Sequence, residues 1–139
     1  MLSNLTTYGS EVVPADAQMT RTTRPISWIK AARKEFETFP EEAQSICLAA
    51  LTIAAEGGKA DIAKPMKGLG PGVLEVALAC RGNAFRVIYA VQLGEELWVV
   101  HGFQKKATQG IKTPQREIEL IKDRLKRLKE MLRWKNSLK

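Results

Sequence analysis

Three short runs rich in β-branched and aromatic residues lie in the middle of the chain: Val73–Ala79, Phe85–Val91 and Glu96–Phe103. Arg81-Gly82-Asn83 and Leu93-Gly94-Glu95 separate them, residues suited to tight turns. This pattern predicts an antiparallel three-strand meander. Upstream, Pro25–Ile29 reads as a short first strand, and Ala31–Phe39 as a short helix ended by Pro40. Glu41–Ala55 is predicted as a second helix: Glu41 and Glu42 suit its positive N-terminal end, and Gly57-Gly58 its stop. Ile46, Ala49, Ala50 and Ile53 fall at helical spacing and are expected to face the sheet.

The glycine-rich stretch Ala60–Gly72 reads as a loop, and Gln104–Thr113 as a second one. Thr113 suits an N-cap, Pro114 the first helical position and Glu117 the first turn of a last helix running to about Arg133. Ile118, Ile121, Leu125, Leu128 and Leu132 alternate three and four residues apart, which makes one apolar seam. The element order predicts an α+β fold: a small antiparallel sheet, two N-terminal helices packed on it, and a basic C-terminal helix.

Residues 1–23 are polar, without helical or strand period, and read as a flexible arm, with Met19 an alternative start. Residues 24–135 are expected to form a single domain and 136–139 a tail. No apolar run reaches the roughly eighteen residues of a membrane span. Cys47 and Cys80 sit in apolar contexts with no CxxC spacing, which suits a reducing, cytoplasmic setting. With one histidine the chain offers no tetrahedral zinc set, so neither metal nor cofactor is expected.

Charge changes the picture. The chain carries a net charge of +7, which favours a polyanionic partner. From Ile111 to Lys139 there are ten Lys/Arg against four Asp/Glu, so +6 of that charge lies in the last segment. A solvated helix face is the bland alternative.

Several residues are placed for chemistry. Arg86 interrupts an otherwise apolar strand, so its guanidinium must meet a partner or enter a cleft. Its planar fork suits a phosphate, and Glu75 on the neighbouring strand is the structural alternative. Lys105 and Lys106 follow the third meander strand and suit phosphate contact, or are solvated loop charges. His101 is of the one side-chain type that changes charge near neutral pH. It reads as a general acid or base, or as a buried histidine bonded to a backbone carbonyl, and shares a strand face with Phe103. Glu75 is either a base or the group that orients Arg86. Lys64 and Lys67, in a loop whose Gly68, Gly70 and Gly72 permit close approach, are candidate contacts to a nucleic-acid backbone, as are Arg81, Lys112 and Arg116. The glycine and lysine spacing of a P-loop is absent.

An ordered series of short motifs carries a family resemblance. These are Lys67-Gly68-Leu69-Gly70, Leu74-Glu75, Phe85-Arg86-Val87, His101-Gly102-Phe103-Gln104-Lys105-Lys106 and Thr113-Pro114. The series resembles the RelE/HigB superfamily of toxin–antitoxin toxins, most closely its phage-derived HigB-like branch, over roughly Arg24 to Arg127. The resemblance implies a RelE-like fold and a metal-independent endoribonuclease that cuts messenger RNA on the ribosome and inhibits translation. It also implies a helix-turn-helix antitoxin as partner, in a hetero-oligomer. For Arg86 it implies stabilisation of the transition state, and for Lys105 or Lys106 contact with the scissile phosphate. Better-known members carry lysines where this chain has Glu75 and Ala77, and a C-terminal tyrosine where Trp134 is the only aromatic residue of the last segment. Those departures leave open a catalytically inactive module of the same fold that binds nucleic acid or protein. Plain DNA binding by the basic last helix is a third reading.

Overall fold

The computed structural model describes residues 23–106, 110 and 112–138; the predicted N-terminal arm lies almost wholly outside them. The elements are β1 (Ile26–Trp28), α1 (Lys30–Glu37), α2 (Glu41–Ala55), β2 (Ala63–Pro65), β3 (Val73–Cys80), β4 (Asn83–Leu93), β5 (Glu96–Lys106) and α3 (Gln115–Ser137). The fold is α+β, as expected. The meander β3-β4-β5 forms the centre of a five-stranded sheet of order β1-β5-β4-β3-β2.

Its first turn is tighter than the sequence suggests. Only Arg81 and Gly82 stand between paired residues Cys80 and Asn83, and both have positive φ, 54° and 80°. That is the backbone a two-residue hairpin of right-handed twist requires. The sheet is not purely antiparallel, because β1 pairs with β5 in parallel, Ile26 opposite Leu97 and Trp28 opposite Val99. The stretch Ala60–Gly72, read as a loop, contains the edge strand β2. Pro65 sits there without cost because an edge position needs no outward N–H donor.

Helices cover both faces. On one, α1 and α2 enclose Phe36, Phe39, Leu51, Val76, Phe85, Val87, Tyr89 and Val99. On the other, Ile121, Leu125 and Leu128 of α3 pack on Leu69, Val73, Ile88, Ala90 and Val100. The apolar seam predicted for the last helix is the one that docks, with Ile118 and Leu132 partly buried at its ends.

The reading of α2 is corrected. Ile46 and Ile53 are each 42% exposed and Ala49 is exposed; of the four residues named, only Ala50 faces the sheet. The buried stripe is Ala43, Cys47, Ala50, Leu51 and Ala54. No charged residue occurs from Ala43 to Ala55, so periodicity could not select one side. The smaller side chains go inward because they let the helix lie close to the sheet.

The start of α3 also differs. Pro114 is its N-cap, and no side chain caps the helix. Thr113 is drawn inward to another partner, described below.

Candidate active site

Strand pairing on the α3 face of the sheet sets the site. In register, Lys64 lies opposite Glu75, Glu75 opposite Ile88, and Ile88 opposite His101. The next row is Ala77, Arg86 and Phe103, and the last is Ala79, Ala84 and Lys105. Paired residues share a face. The alanines beside Arg86 and Lys105 leave room for two long cationic side chains to lie over the sheet.

Among the described residues the buried charged or polar side chains are Glu75 (4% exposed), Arg86 (6%), His101 (1%) and Lys105 (8%). All four were singled out from sequence, and all four lie on this face. Burial of a charge is costly unless it is paired. Arg86 Nη1 approaches Glu75 Oε2 at 3.3 Å. Thr113 Oγ1 donates to the same carboxylate oxygen at 2.8 Å, which ties the segment before α3 to the sheet. Lys105 Nζ donates to the carbonyl of Lys112. Burial holds the Lys105 ammonium below the usual lysine range; the nearby Arg86 charge acts in the same direction, and Glu75 opposes it.

Lys105 opens onto a groove of about 510 Å3 lined by Met66, Lys112, Thr113, Gln115 and Ile118, among others. Lys112 is exposed at its rim. Lys112 thus reaches solvent at the mouth, with the buried Lys105 and then the Arg86–Glu75 pair behind it. The arrangement is suited to receive an anion.

His101 belongs to a second network. Its Nε2 lies 2.7 Å from Glu117 Oε1 and its Nδ1 2.8 Å from Arg124 Nη1. Nδ1 also lies 3.4 Å from Glu35 Oε1, so acidic groups stand on both sides of the ring. Arg124 grips both oxygens of Glu35 at 2.8 Å each, and Gly102 N–H donates to Glu35 Oε1 at 3.0 Å. Among the described residues β1 pairs with β5 only as far as Val99, and beyond it Glu35 satisfies an N–H that pairing would otherwise use. Burial pushes the Glu35 carboxyl up, but its hydrogen bonds from Arg124 and Gly102 and the nearby positive charges outweigh that and hold it below the usual range. The network joins α1, β5 and α3. It engages both ring nitrogens of His101, with charged partners rather than the backbone carbonyl anticipated as the alternative.

The other sequence candidates scatter. Lys106 is exposed and alternates to the opposite face from Lys105; both are the last residues of β5, not loop residues. Arg81 sits in the β3–β4 turn, 73% exposed, with its Nε 3.6 Å from Glu42 of α2. It therefore belongs to the far layer. Lys64 and Lys67 are exposed beside the groove's Met66. Arg116 is 89% exposed and pairs with Glu117 at 3.5 Å.

Sequence reasoning passed over Thr113 as a ligand of Glu75, and over Glu35, Glu117 and Arg124. A signal existed for two of them: positions 117, 121, 124 and 128 form one stripe at helical spacing, so Glu117 and Arg124 interrupt the buried seam. Charged residues there announce buried partners.

Residues 34–126, well over half of the chain, match the family profile described as phage derived protein Gp49-like (DUF891). The chain belongs to this Gp49-like family. That agrees with the phage-derived branch named from the sequence motifs. No curated protein is significantly similar to this Gp49-like chain. A solved structure, the toxin–antitoxin complex RelBE2 from Mycobacterium tuberculosis, aligns with it at a TM-score of 0.43 and 13% identity, covering 60% of this chain and 93% of that one. Among the described residues no helix is long and apolar enough to cross a membrane.

Proposed function

We propose that this protein is the toxin of a type II toxin–antitoxin pair, an endoribonuclease that cuts messenger RNA on the ribosome without a metal ion. The motif series and membership of the phage-derived family support the class. The observation that carries the chemistry is Lys105, in the lining of a basic groove, with Arg86 and Glu75 directly behind it.

Cleavage through the ribose 2′-hydroxyl needs a base, an acid for the leaving 5′-oxygen, and cationic groups for the charge that gathers on phosphate. Lys105 is the natural acid and phosphate contact, because its environment disfavours the charged form. Arg86, oriented by Glu75, supplies positive potential behind it. Lys112, Lys64 and Lys67 steer the strand toward the groove. His101 takes a positioning role, holding α3 and hence Thr113 over the sheet. The ribosome supplies positioning of the messenger, and a helix-turn-helix antitoxin holds the toxin off.

One observation favours a second reading, a module of the same fold that binds RNA or protein without cutting. Arg86 and Glu75 pair with each other, and their side chains are only 7% and 6% exposed. Induced expression with and without the adjacent reading frame, followed by mapping of messenger ends, separates the two. New ends inside coding regions, absent in Lys105→Ala, support the ribonuclease. Growth arrest without new ends supports the module.

A further inference from the structure

The second face of α3 carries a feature that the candidate site does not use. Three of the four arginines of α3 are ion-paired: Arg116 with Glu117 at 3.5 Å, Arg124 with Glu35 at 2.8 Å and Arg127 with Asp123 at 3.1 Å. Lys122, Lys126 and Lys129 are not: among the described residues none of them forms an ion pair or a hydrogen bond. They lie at i, i+4 and i+7, on one side of the helix. Like charges three or four residues apart destabilise an isolated helix. Three such lysines in a row therefore stabilise nothing within the chain.

They converge on a defined groove. Lys122, Lys126 and Lys129, together with Leu125, face Gly68, Leu69 and Gly70 across a space of about 350 Å3. Leu69 is 6% exposed and packs into the core beneath α3, which fixes the loop against the helix. Gly68 and Gly70 have φ of 81° and 94°, and both are exposed. With no Cβ, the loop presents bare backbone to whatever lies in the groove. A Cβ at Gly70 would come within 3.9 Å of Lys129 Nζ, which shows how near the two walls stand. Lys122 to Lys129 span about 10 Å of helix axis. Each of the three lysines along that length can meet one phosphate of a single strand.

The groove lies along the same two segments as the candidate active site, the loop after β2 and helix α3. Met66 lines the first and Gly68–Gly70 the second; Gln115 and Ile118 line the first and Lys122 to Lys129 the second. We infer that Lys122, Lys126, Lys129 and the Gly68–Gly70 loop form a binding track for the phosphate backbone of single-stranded RNA, continuing from the Lys105 groove along α3. This rests on the reading of the protein as one that acts on RNA. It adds the residues that hold the strand outside the cleavage point.

The test uses the full chain and a 20-nucleotide single strand with 2′-O-methyl groups throughout, which offers no 2′-hydroxyl to attack. Binding is followed by fluorescence anisotropy across a salt series. The triple variant Lys122→Gln, Lys126→Gln, Lys129→Gln is compared with an equal charge loss elsewhere, Lys30→Gln, Lys34→Gln, Lys135→Gln. The single variant Lys126→Glu stands in if the first triple melts early. The log–log salt slope of the groove triple should be shallower than wild type by about 2, at roughly 0.7 per phosphate contact, and the control slope should hardly move. An unchanged slope in the groove triple overturns the inference. So does an equal loss in the control triple, which would mean diffuse attraction only, or tighter binding of a DNA duplex of the same length. The two readings fail separately: a normal groove result from a chain that leaves cellular messengers intact rejects the ribonuclease and keeps the track.

Discussion

The Arg86 guanidinium stands 3.3 Å from the Glu75 carboxylate on the neighbouring strand, one diagonal step from direct register, since Glu75 faces Ile88 and Arg86 faces Ala77. Both side chains are buried, and Thr113 shares the carboxylate. Removing one partner strands the other charge in the interior. Arg86→Ala is therefore expected to destabilise the protein by about 3–5 kcal/mol. Urea unfolding measures this, and a double-mutant cycle with Glu75→Gln should recover part of the loss. If the variant stays folded and the proposed role holds, cleavage should also fall on the order of 100–1000-fold. Full activity in a folded Arg86→Ala protein would sink the catalytic role and leave the structural one.

Glu35 predicts a pH dependence with a definite sign. Its carboxyl titrates lower in the folded chain than its ordinary value of 4.5. The folded state thus binds that proton less readily than the unfolded state. The stabilisation is fully present above the unfolded value and is lost as pH falls through the folded one. Stability measured by denaturant should decline below about pH 4.5. In Glu35→Gln the decline should be shallower and the stability at neutral pH lower. Curves that keep the same shape would remove the Arg124–Glu35 clamp from the account of how α1 and α3 are held.

Lys105 can be tested by separating charge from proton donation. Lys105→Arg keeps a cation in the groove but supplies a group that stays protonated. RNA affinity should be retained while the cleavage rate drops on the order of 100–10000-fold, the usual contribution of a positioned acid or base. If the native protein cleaves RNA as proposed, the rate should fall as pH rises through the Lys105 value, which lies below the ordinary 10.5. A variant that cuts at the native rate would show that Lys105 only contacts phosphate.

The mode of inhibition by the proposed antitoxin is also measurable. Lys105 and Lys106 lie on opposite faces of β5, so one antitoxin segment plugged into the groove would meet only the first. A partner that excludes the toxin from the ribosome sterically should tolerate Lys105→Ala, Lys106→Ala with little change in affinity. A loss above about 3 kcal/mol, the scale for truncating buried interfacial charges, would instead place the partner in the groove.

The elements legible in the sequence were those where one local signal dominates. Turn residues at Arg81-Gly82 and Gly94 delimited the meander. The three-and-four spacing of Ile121, Leu125 and Leu128 identified the docking stripe of α3. Arg86 on an apolar strand announced a buried partner, and Glu75 was the right one. On α2 no such signal existed, because an uncharged helix has no unique apolar side. Thr113 looked like a helix cap because capping is local, whereas its hydrogen bond to Glu75 crosses the fold.

The placement of His101 shows where local pattern ends. Leu97 and Val99 point into the α1–α2 layer, and strict alternation would send His101 after them. Pairing shifts between Ile88 opposite His101 and Tyr89 opposite Val99, so Val100 is an extra residue in β5. This bulge turns His101, Phe103 and Lys105 to the α3 side, where Val100 also packs. Residue types and their order determined that the chain would fold as strands and helices around two apolar layers, with a basic last helix. Which face each charged side chain reached was decided by strand register and by the docking of α3, because a one-residue slip in a strand exchanges its two faces.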